Sequence, residues 1–367
     1  MQEIDQLYWV WLSTVPGIGA KRFYKLLMAF GDPKSVYETA KGEETLIKKI
    51  LGNSCADRLL SSINKESLEK AEQIMSSTDI RVMTLNSKDY PPLLKAIYDP
   101  PAVLYLKGQE LNTSSGSIAI VGSRRSSDYG RMSAKKLAYE LAQCGVPIIS
   151  GLARGIDTYA HRGALEAKSG YTVAVLGCGF NYIYPPENKN LYEKIIERGT
   201  LISEYPPNTQ PLPGNFPARN RIISGLANGT LVIEAGVKSG ALITVDFALE
   251  QGRDVYALPG NFNSPFSKGT NELLKQGAKI ITSVDDILED INVEKKLNPK
   301  PASKIPVLDL FETQVYNALE TGPKGIEQLL EMTGLDSGRL NAVLTLMELK
   351  GIIKKLPGKT YKIEWTN

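Results

Sequence analysis

Apolar residues recur at helical spacing through roughly the first 80 residues and then give way to short β-branched runs. Leu7, Val10 and Trp11 follow this spacing, and a second set lies within 23–30. Residues 1–86 are therefore predicted to form a helical domain. The next stretch, 87–116, is rich in proline and is predicted to be an extended connector.

From Ser117 to about Asp290, seven apolar runs alternate with helical patterns. Runs such as S-I-A-I-V-G and Y-T-V-A-V-L-G lack polar alternation, which is typical of strands that are buried on both faces. Strand and helix in alternation indicate a mostly parallel sheet with helices on both sides. The predicted fold class is α/β, with a parallel-sheet core over 87–290.

A linker rich in lysine, proline and asparagine is predicted over 291–306, followed by a winged-helix-like domain over 307–367. Helical patterns at 307–320, 324–332 and 336–350 precede two predicted strands around a Pro-Gly turn. Five lysines lie between Lys350 and Lys362 with no acid among them. This run is either a solvated face or a contact for nucleic acid or protein.

Composition narrows the class of protein. The chain has 367 residues, 42% of them hydrophobic, and a net charge of +3. This small charge excludes a uniformly basic surface, so a nucleic-acid site must be a local patch. The cysteines, Cys55, Cys144 and Cys178, show no disulfide or zinc spacing. We see no signal peptide and no apolar run of about 20 residues, so a cytoplasmic location is expected.

Glycine-bearing loops follow three of the predicted strands, and the first two of these loops also carry arginine. In an open parallel sheet these loops meet at the carboxyl ends of the strands, where ligands bind. Glycine lets the backbone approach an anion, and arginine grips phosphate bidentately. No G-x-G-x-x-G or P-loop motif is present. The predicted phosphate-binding residues are Gly122, Ser123, Arg124, Arg125, Gly151, Ala153, Arg154, Gly155, Asp157 and Gly179.

A fourth segment, F-P-A-R-N-R, opens a predicted helix and adds Phe216, Arg219, Asn220 and Arg221. Phe216 either stacks on an unpaired base or packs against the helix. Arg219 and Arg221 are two residues apart and point to different faces of a helix. One is expected to face the phosphate pocket, and the other to pack or pair with an acid such as Glu234.

The first helical patterns flank V-P-G-I-G-A-K-R, at 15–22. Two glycines followed by a basic helix start are typical of a helix-hairpin-helix, whose backbone N–H groups face a DNA phosphate. The alternative is a tight turn between packed helices, in which glycine serves only a positive φ. Equal numbers of acids and bases in 1–86 favour the tight turn.

The chain offers no convincing catalytic or metal-binding set. His161 is the only histidine and is interpreted as a packing residue. Glu234, followed by Ser239 and Gly240, either assists glycosidic bond cleavage in a nucleotide or fixes Arg221, and we favour the second role. We therefore predict no catalytic residue, no metal and no cofactor.

Together these segments resemble the DprA/Smf family of bacterial DNA-processing proteins. The matching residues include I-V-G-S-R, S-G-L-A-R-G-I-D, L-G-C-G-F-N-Y-I-Y-P-P-E-N, F-P-A-R-N-R-I-I-S-G-L and V-I-E-A-G-V-K-S-G-A-L-I-T. The series runs from about Asp89 to about Ile287 and is ordered and specific. The two ends of the chain fit the three-part layout of the family less specifically.

The resemblance implies that residues 87–290 form an extended Rossmann-like core that binds single-stranded DNA in natural transformation. It further implies that the protein dimerises and loads the RecA recombinase while displacing single-strand-binding protein. It also implies that the Gly122–Arg124, Gly151–Asp157 and Phe216–Arg221 segments contact DNA, with Phe216 stacking on a base. Some relatives carry a basic residue just before the matching phenylalanine, where this chain has P-L-P-G-N. Lys238 is a candidate to supply the missing phosphate contact.

The sequence thus favours a non-enzymatic single-stranded DNA-binding recombination mediator. One alternative is a nucleoside-monophosphate phosphoribohydrolase that uses Glu234, although the P-G-G-x-G-T motif typical of that class is missing. Another is a nucleotide-sensing interaction protein with the winged helix as its output.

Overall fold

The structure, a computed structural model, describes residues 3–113, 116–291, 308–320, 322–350, 352–356, 358 and 360–363. The chain divides into two compact units, Met1–Lys295 and Lys296–Asn367, which are described separately. Apart from residue 291, the predicted linker lies outside the described residues.

The first unit begins with helices, as predicted. They are α1 (Glu3–Thr14), α2 (Ala20–Phe30), α3 (Pro33–Thr39), α4 (Glu44–Leu51), α5 (Asn53–Ser61) and α6 (Lys65–Met75). Asp32 caps α3 by accepting from the Ser35 N–H at 2.9 Å. The apolar spacing seen in the sequence buries Trp9 and Trp11, and Trp9 stacks on Phe23 with ring centroids 5.4 Å apart.

A nine-stranded sheet follows in the described part of this unit. Its strands are β1 (Arg81–Thr84), β2 (Val103–Gly108), β3 (Ile118–Val121), β4 (Ile148–Ser150), β5 (Thr172–Val175), β6 (Thr200–Ser203), β7 (Gly229–Val232), β8 (Asp254–Ala257) and β9 (Lys279–Ile280). The spatial order is β1-β2-β6-β5-β4-β3-β7-β8-β9. All pairings from β6 through β9 are parallel, whereas β1 and β2 pair antiparallel to each other and β2 pairs antiparallel to β6.

Helices cover both faces of the sheet. They are α7 (Pro92–Lys95), α8 (Asp128–Gln143), α9 (Ile156–Glu166), α10 (Lys189–Arg198), α11 (Asn215–Gly225), α12 (Ala241–Glu250), α13 (Lys268–Lys275) and α14 (Asp285–Leu288). Successive residues of β3 enter opposite cores: Ile118 packs in the cluster of α8 and α9, and Ala119 in the cluster of α11 and α12. This double burial explains why the strands read as unbroken apolar runs.

The prediction of an extended connector over 87–116 is wrong in part. Val103–Gly108 is a buried strand of the main sheet, and β1 joins the sheet still earlier, before residue 86. Pro100 and Pro101 make this strand difficult to predict from the sequence. They precede its first ladder position, Val103, and so remove no sheet hydrogen bond. The Tyr105 hydroxyl lies 2.7 Å from Ser13 Oγ, which ties β2 to the helical segment.

The second unit contains the predicted three helices and hairpin. The helices are α15 (Leu310–Glu320), α16 (Ile326–Thr333) and α17 (Ser337–Leu349), and the strands are β10 (Lys324–Gly325), β11 (Ile353–Leu356) and β12 (Thr360–Ile363). Leu340, Leu344 and Met347 form its core with Tyr361. Of the lysine run, Lys354, Lys355 and Lys362 are exposed, and Lys359 lies outside the described residues.

Candidate functional site

The two predicted glycine-arginine loops lie side by side at one edge of the sheet, because β3 and β4 are parallel neighbours. Gly155 joins them. Its φ of +73° suits glycine, and a Cβ there would lie 2.3 Å from the Ser123 carbonyl oxygen. The next residue, Ile156, donates its N–H to the same oxygen at 3.3 Å. The loops therefore form one packed surface.

This surface forms an open cleft of about 440 Å³. Many of the predicted residues line it, namely Gly122, Ser123, Arg124, Arg125, Ala153, Asp157, Phe216, Arg219, Asn220, Ser239 and Gly240. Arg124 and Arg125 are exposed, and neither has a carboxylate within 4.0 Å in the described part of the chain. The cleft therefore presents two guanidinium groups that are available to anions.

Asp157 holds the second loop in shape. Its Oδ2 accepts from the N–H groups of Gly151 at 3.1 Å and Ala153 at 3.3 Å. Burial raises the pKa of Asp157, while the Arg219 guanidinium and the two N–H groups partly offset this rise. The side chain thus supports the loop from beneath, and because it is buried, it exposes little negative charge in the cleft.

Arg219 joins the ends of two strands. Its guanidinium is buried and donates from Nη1 to the carbonyl of Gly151 at 3.0 Å and to that of Val175. Burial lowers its pKa to about 10, against the opposing effect of Asp157. Gly151 lies between the two charged groups, since a Cβ there would be 2.7 Å from Arg219 Nη2 and 2.9 Å from Asp157 Oδ2. Arg219 therefore fixes the floor of the cleft.

Arg221 does not pair with Glu234, so that prediction is wrong. Its guanidinium contacts Glu204 at 2.6 Å and Asp99 at 3.3 Å, and only 5% of its side chain is exposed. Burial disfavours the charge, but Glu204 and Asp99 outweigh burial and raise the pKa of Arg221. Because α11 turns Arg221 away from Arg219, its side chain is a structural tie and does not line the cleft.

Glu234 follows β7, and its carboxylate lies at the start of α8. It accepts from the Ser127 N–H at 2.9 Å and also bonds the Ser127 hydroxyl, while Ser127 caps α8 by accepting from Gly130 N–H at 3.1 Å. Glu234 lines a different cavity of about 470 Å³, together with Tyr129 and Asn261. Its carboxylate therefore serves the helix cap and sits apart from the arginine-lined cleft.

Phe216 is half-buried at the rim of the cleft. Its ring centroid lies 5.8 Å from the Arg124 guanidinium and 5.1 Å from the ring of Tyr184, tilted by 42°. Sequence reasoning did not single out Tyr184, although Y-I-Y-P-P-E-N contains it. This aromatic pair beside Arg124 offers both π surface and positive charge.

The Arg154 guanidinium is exposed but already pairs with a carboxylate. It forms a two-point ion pair with Glu187, with Nη2 3.0 Å from Oε2, and lies 5.9 Å from the ring of Tyr184. Sequence reasoning also missed Glu187, which directly follows the two prolines of the same run. An anion that binds Arg154 must therefore compete with a carboxylate.

Two remaining predicted residues lie beside the cleft without lining it. Gly179 is buried and allows close packing, because a Cβ there would lie 2.1 Å from the Pro206 carbonyl oxygen. Lys238 is exposed on the loop that precedes Ser239. Gly179 thus shapes the loop, and Lys238 is placed where a charge at the rim is accessible.

His161 is buried, as the packing interpretation requires. The Thr172 hydroxyl donates to the Ile148 carbonyl at 2.6 Å, so His161 Nδ1, 2.7 Å away, donates to Thr172. Burial lowers the pKa of His161 to about 3. Within the described residues, no three His, Cys, Asp or Glu side chains are grouped to hold a metal ion. No helix in that part of the chain is long and apolar enough to cross a membrane.

Comparison with known proteins gives consistent matches. A family model for DNA recombination-mediator protein A matches residues 81–292, and a model for the DprA winged helix domain matches residues 299–359. Protein Smf from Synechocystis sp. is 33% identical over 99% of this chain and 100% of its own length. DNA processing protein DprA from Bacillus subtilis is 46% identical over 58% of this chain and 71% of its own.

Two solved structures are similar in fold and sequence. The X-ray structure of DNA processing protein A from Streptococcus pneumoniae superposes with a TM-score of 0.67 at 33% identity, covering 78% of this chain and 96% of that one. DNA processing protein A from Helicobacter pylori, whose structure is described as giving insight into its single-stranded DNA binding mode, superposes with a TM-score of 0.53 at 30% identity. That match covers 58% of this chain and 95% of the other.

Proposed function

This chain belongs to the DprA/Smf family of DNA recombination mediators, and from this premise we propose that its arginine-lined cleft binds single-stranded DNA. The family resemblance and the fold class, a Rossmann-like α/β core with a winged helix, are confirmed. The domain boundaries at 86, 290 and 306 remain predictions.

One observation carries the proposal: Arg124 and Arg125, which have no carboxylate within 4.0 Å among the described residues, share a cleft with the half-exposed ring of Phe216. Guanidinium groups bind phosphates, and an aromatic face stacks on any unpaired base, with an effect of about 1–3 kcal/mol per base. A duplex keeps its bases stacked inside, so the ring favours single strands. The relative from Helicobacter pylori, described as binding single-stranded DNA, supports the same conclusion.

The finer role that we propose follows from the family. The protein protects incoming single strands in natural transformation in the cytoplasm, acts as a homodimer and loads RecA in place of single-strand-binding protein. Gel filtration with and without a dT oligomer tests the homodimer. Assembly of RecA on strands precoated with single-strand-binding protein tests loading, which this protein should accelerate.

We also propose that the protein works without catalysis. Glu234, the acid considered for nucleotide cleavage, bonds to Ser127 at the start of α8 and lines a separate cavity. Incubation with AMP and chromatography tests this point. We expect no free adenine, and its enzyme-dependent release would favour the phosphoribohydrolase alternative.

Binding of a labelled single strand and of its duplex in rising salt tests the proposed function. The single strand should bind more tightly, and its affinity should fall steeply with salt because phosphate contacts release counterions. No binding at low salt, or equal affinity for the duplex, would contradict the proposal.

A further inference from the structure

We propose that Tyr98 and Lys21 form a second contact for the single strand that occupies the cleft, so that the helical segment and the core bind one DNA together. This inference rests on the proposed function. It assigns a DNA contact to the hairpin over 15–22, for which the sequence left two interpretations open.

Tyr98 lies at the edge of the sheet that carries the cleft. Strand β2 runs antiparallel to β6, with Tyr105 opposite Ser203, so β2 begins where β6 ends. Tyr98 is five residues before that beginning. From β4 to β2 there are three strand spacings, about 14 Å, and at about 3.4 Å per stacked nucleotide this corresponds to about four nucleotides. A strand that leaves the cleft along this edge can therefore reach Tyr98.

The backbone on both sides of Tyr98 is held by α11, the helix that also carries Phe216. Ile97 is buried against α11, where a Cβ on Gly225 would lie 3.2 Å from its Cγ2. Asp99 accepts from Arg221 Nε through its carbonyl at 3.1 Å and forms an ion pair with it at 3.3 Å. The hydrogen bond and ion pair between Arg221 and Asp99 thus fix the position of Tyr98 relative to the cleft.

The Tyr98 side chain contributes little to packing, because 91% of it is exposed. Its contact is Lys21 on the first turn of α2, whose Nζ lies 5.5 Å from the ring centroid. At this exposure, most of the ring stays accessible. Core packing does not explain an aromatic ring at this exposed position, whereas stacking of an unpaired base on the ring does.

The hairpin beside this ring is basic. Lys21 and Arg22 are exposed, and among the described residues neither has a carboxylate within 4.0 Å. Arg22 donates to the Gly17 carbonyl at 2.8 Å, and Arg58 donates to that of Pro16 at 2.8 Å, so guanidinium groups gather around the turn. Ring and cations together match the alternation of base and phosphate in an unpaired strand.

The test compares Tyr98→Ala and Lys21→Ala with wild type on two dT oligomers, of about 3 and about 20 nucleotides, which bracket common single-strand site sizes. The shorter oligomer does not cover the span of about four nucleotides from the cleft to Tyr98. On the long oligomer, Tyr98→Ala should lower the affinity about five-fold or more, the equivalent of one stacked base. The short oligomer, which fills the cleft alone, should bind unchanged. Tyr98→Phe keeps the ring and should bind the long oligomer as wild type does.

Lys21→Ala should act differently, because it removes a charge. The slope of log affinity against log salt should become shallower by about 0.7 for one lost phosphate contact, whereas Tyr98→Ala should leave the slope unchanged. Tyr139→Ala on α8 and Lys49→Ala on α4 are matched controls, since both residues are exposed and lie on other elements. Circular dichroism verifies that each variant is folded.

The outcomes separate this inference from the proposed function. Wild-type affinity of Tyr98→Ala for the long oligomer, while Arg124→Ala loses affinity for both lengths, would overturn the second contact and leave the cleft intact. Equal losses for Tyr98→Phe and Tyr98→Ala would overturn the stacking role. If wild type binds neither oligomer, the proposed function fails first.

Discussion

The ring of Phe216 rests directly on Gly177, where a Cβ would lie 2.7 Å from the ring Cδ1. Tyr184 and Arg124 also contact this ring. Gly177 follows β5, and Phe216 is the second residue of α11, so the contact joins two separate segments of the rim. The orientation of the proposed stacking residue therefore depends on the lack of a side chain at residue 177.

Gly177→Ala should displace the Phe216 ring and weaken single-strand binding several-fold, because stacking contributes about 1–3 kcal/mol and depends on orientation. Gly214→Ala is the control, since Gly214 lies two residues before Phe216 and a Cβ there has nothing within 4 Å. Fluorescence anisotropy with a labelled dT oligomer measures both. Equal affinities of the two variants would show that DNA binding does not depend on the packing of the Phe216 ring on Gly177.

Glu187→Gln should strengthen single-strand binding a few-fold. The substitution removes the carboxylate that occupies Arg154 and so frees its guanidinium for phosphate. Glu193→Gln on α10 is the matched control, because it removes the same charge from another exposed position. If both variants gain affinity equally, the effect is one of net charge, and the Arg154–Glu187 pair is not a competitor of DNA.

Arg221→Ala should lower the free energy of unfolding by about 3 kcal/mol, because it leaves two partly buried carboxylates, those of Glu204 and Asp99, without their partner. Urea unfolding followed by circular dichroism measures the loss. Arg162→Ala, an exposed arginine on α9, should leave the stability nearly unchanged. A small loss at Arg221 would mean that Glu204 and Asp99 find other partners or water.

The sequence was sufficient to predict the cleft but not its side-chain pairs. The carboxyl ends of parallel strands share one edge of the sheet. Correctly predicted strands therefore place Arg124, Ala153 and Phe216 together at that edge. Arg221 was assigned to Glu234 because both lie near that edge. Its true partners, Glu204 and Asp99, depend on the direction in which α11 presents each residue, which residue spacing alone does not specify.

Strand β2 shows a second limit. Its residues, V-L-Y-L-K-G, are strand-like, but the prolines before them suggested an extended connector. Besides β1, strand β2 pairs with β6, almost 100 residues later, and only the folded sheet brings these two strands together. Tyr98 was overlooked for the same reason, since its location follows from where β2 begins.

His161 should make stability depend on pH. Its pKa is about 3 in the folded protein and 6.5 in its unperturbed state, so the unfolded chain binds the proton more readily. Its contribution is fully present above about pH 6.5 and is lost towards pH 3, at up to about 1.4 kcal/mol per pH unit. The difference in unfolding free energy between wild type and His161→Gln should shrink over this range. A constant difference would contradict a buried neutral histidine.

The central claim, that the cleft binds the phosphates of a single strand, is tested most directly by the salt dependence of binding in Arg124→Ala. The slope of log affinity against log salt for a dT oligomer should become shallower by about 0.7, the value for one phosphate contact in a single strand. Affinity at low salt should fall, while Arg162→Ala keeps both values. Wild-type slope and affinity in a folded Arg124→Ala protein would contradict the account and place the DNA elsewhere.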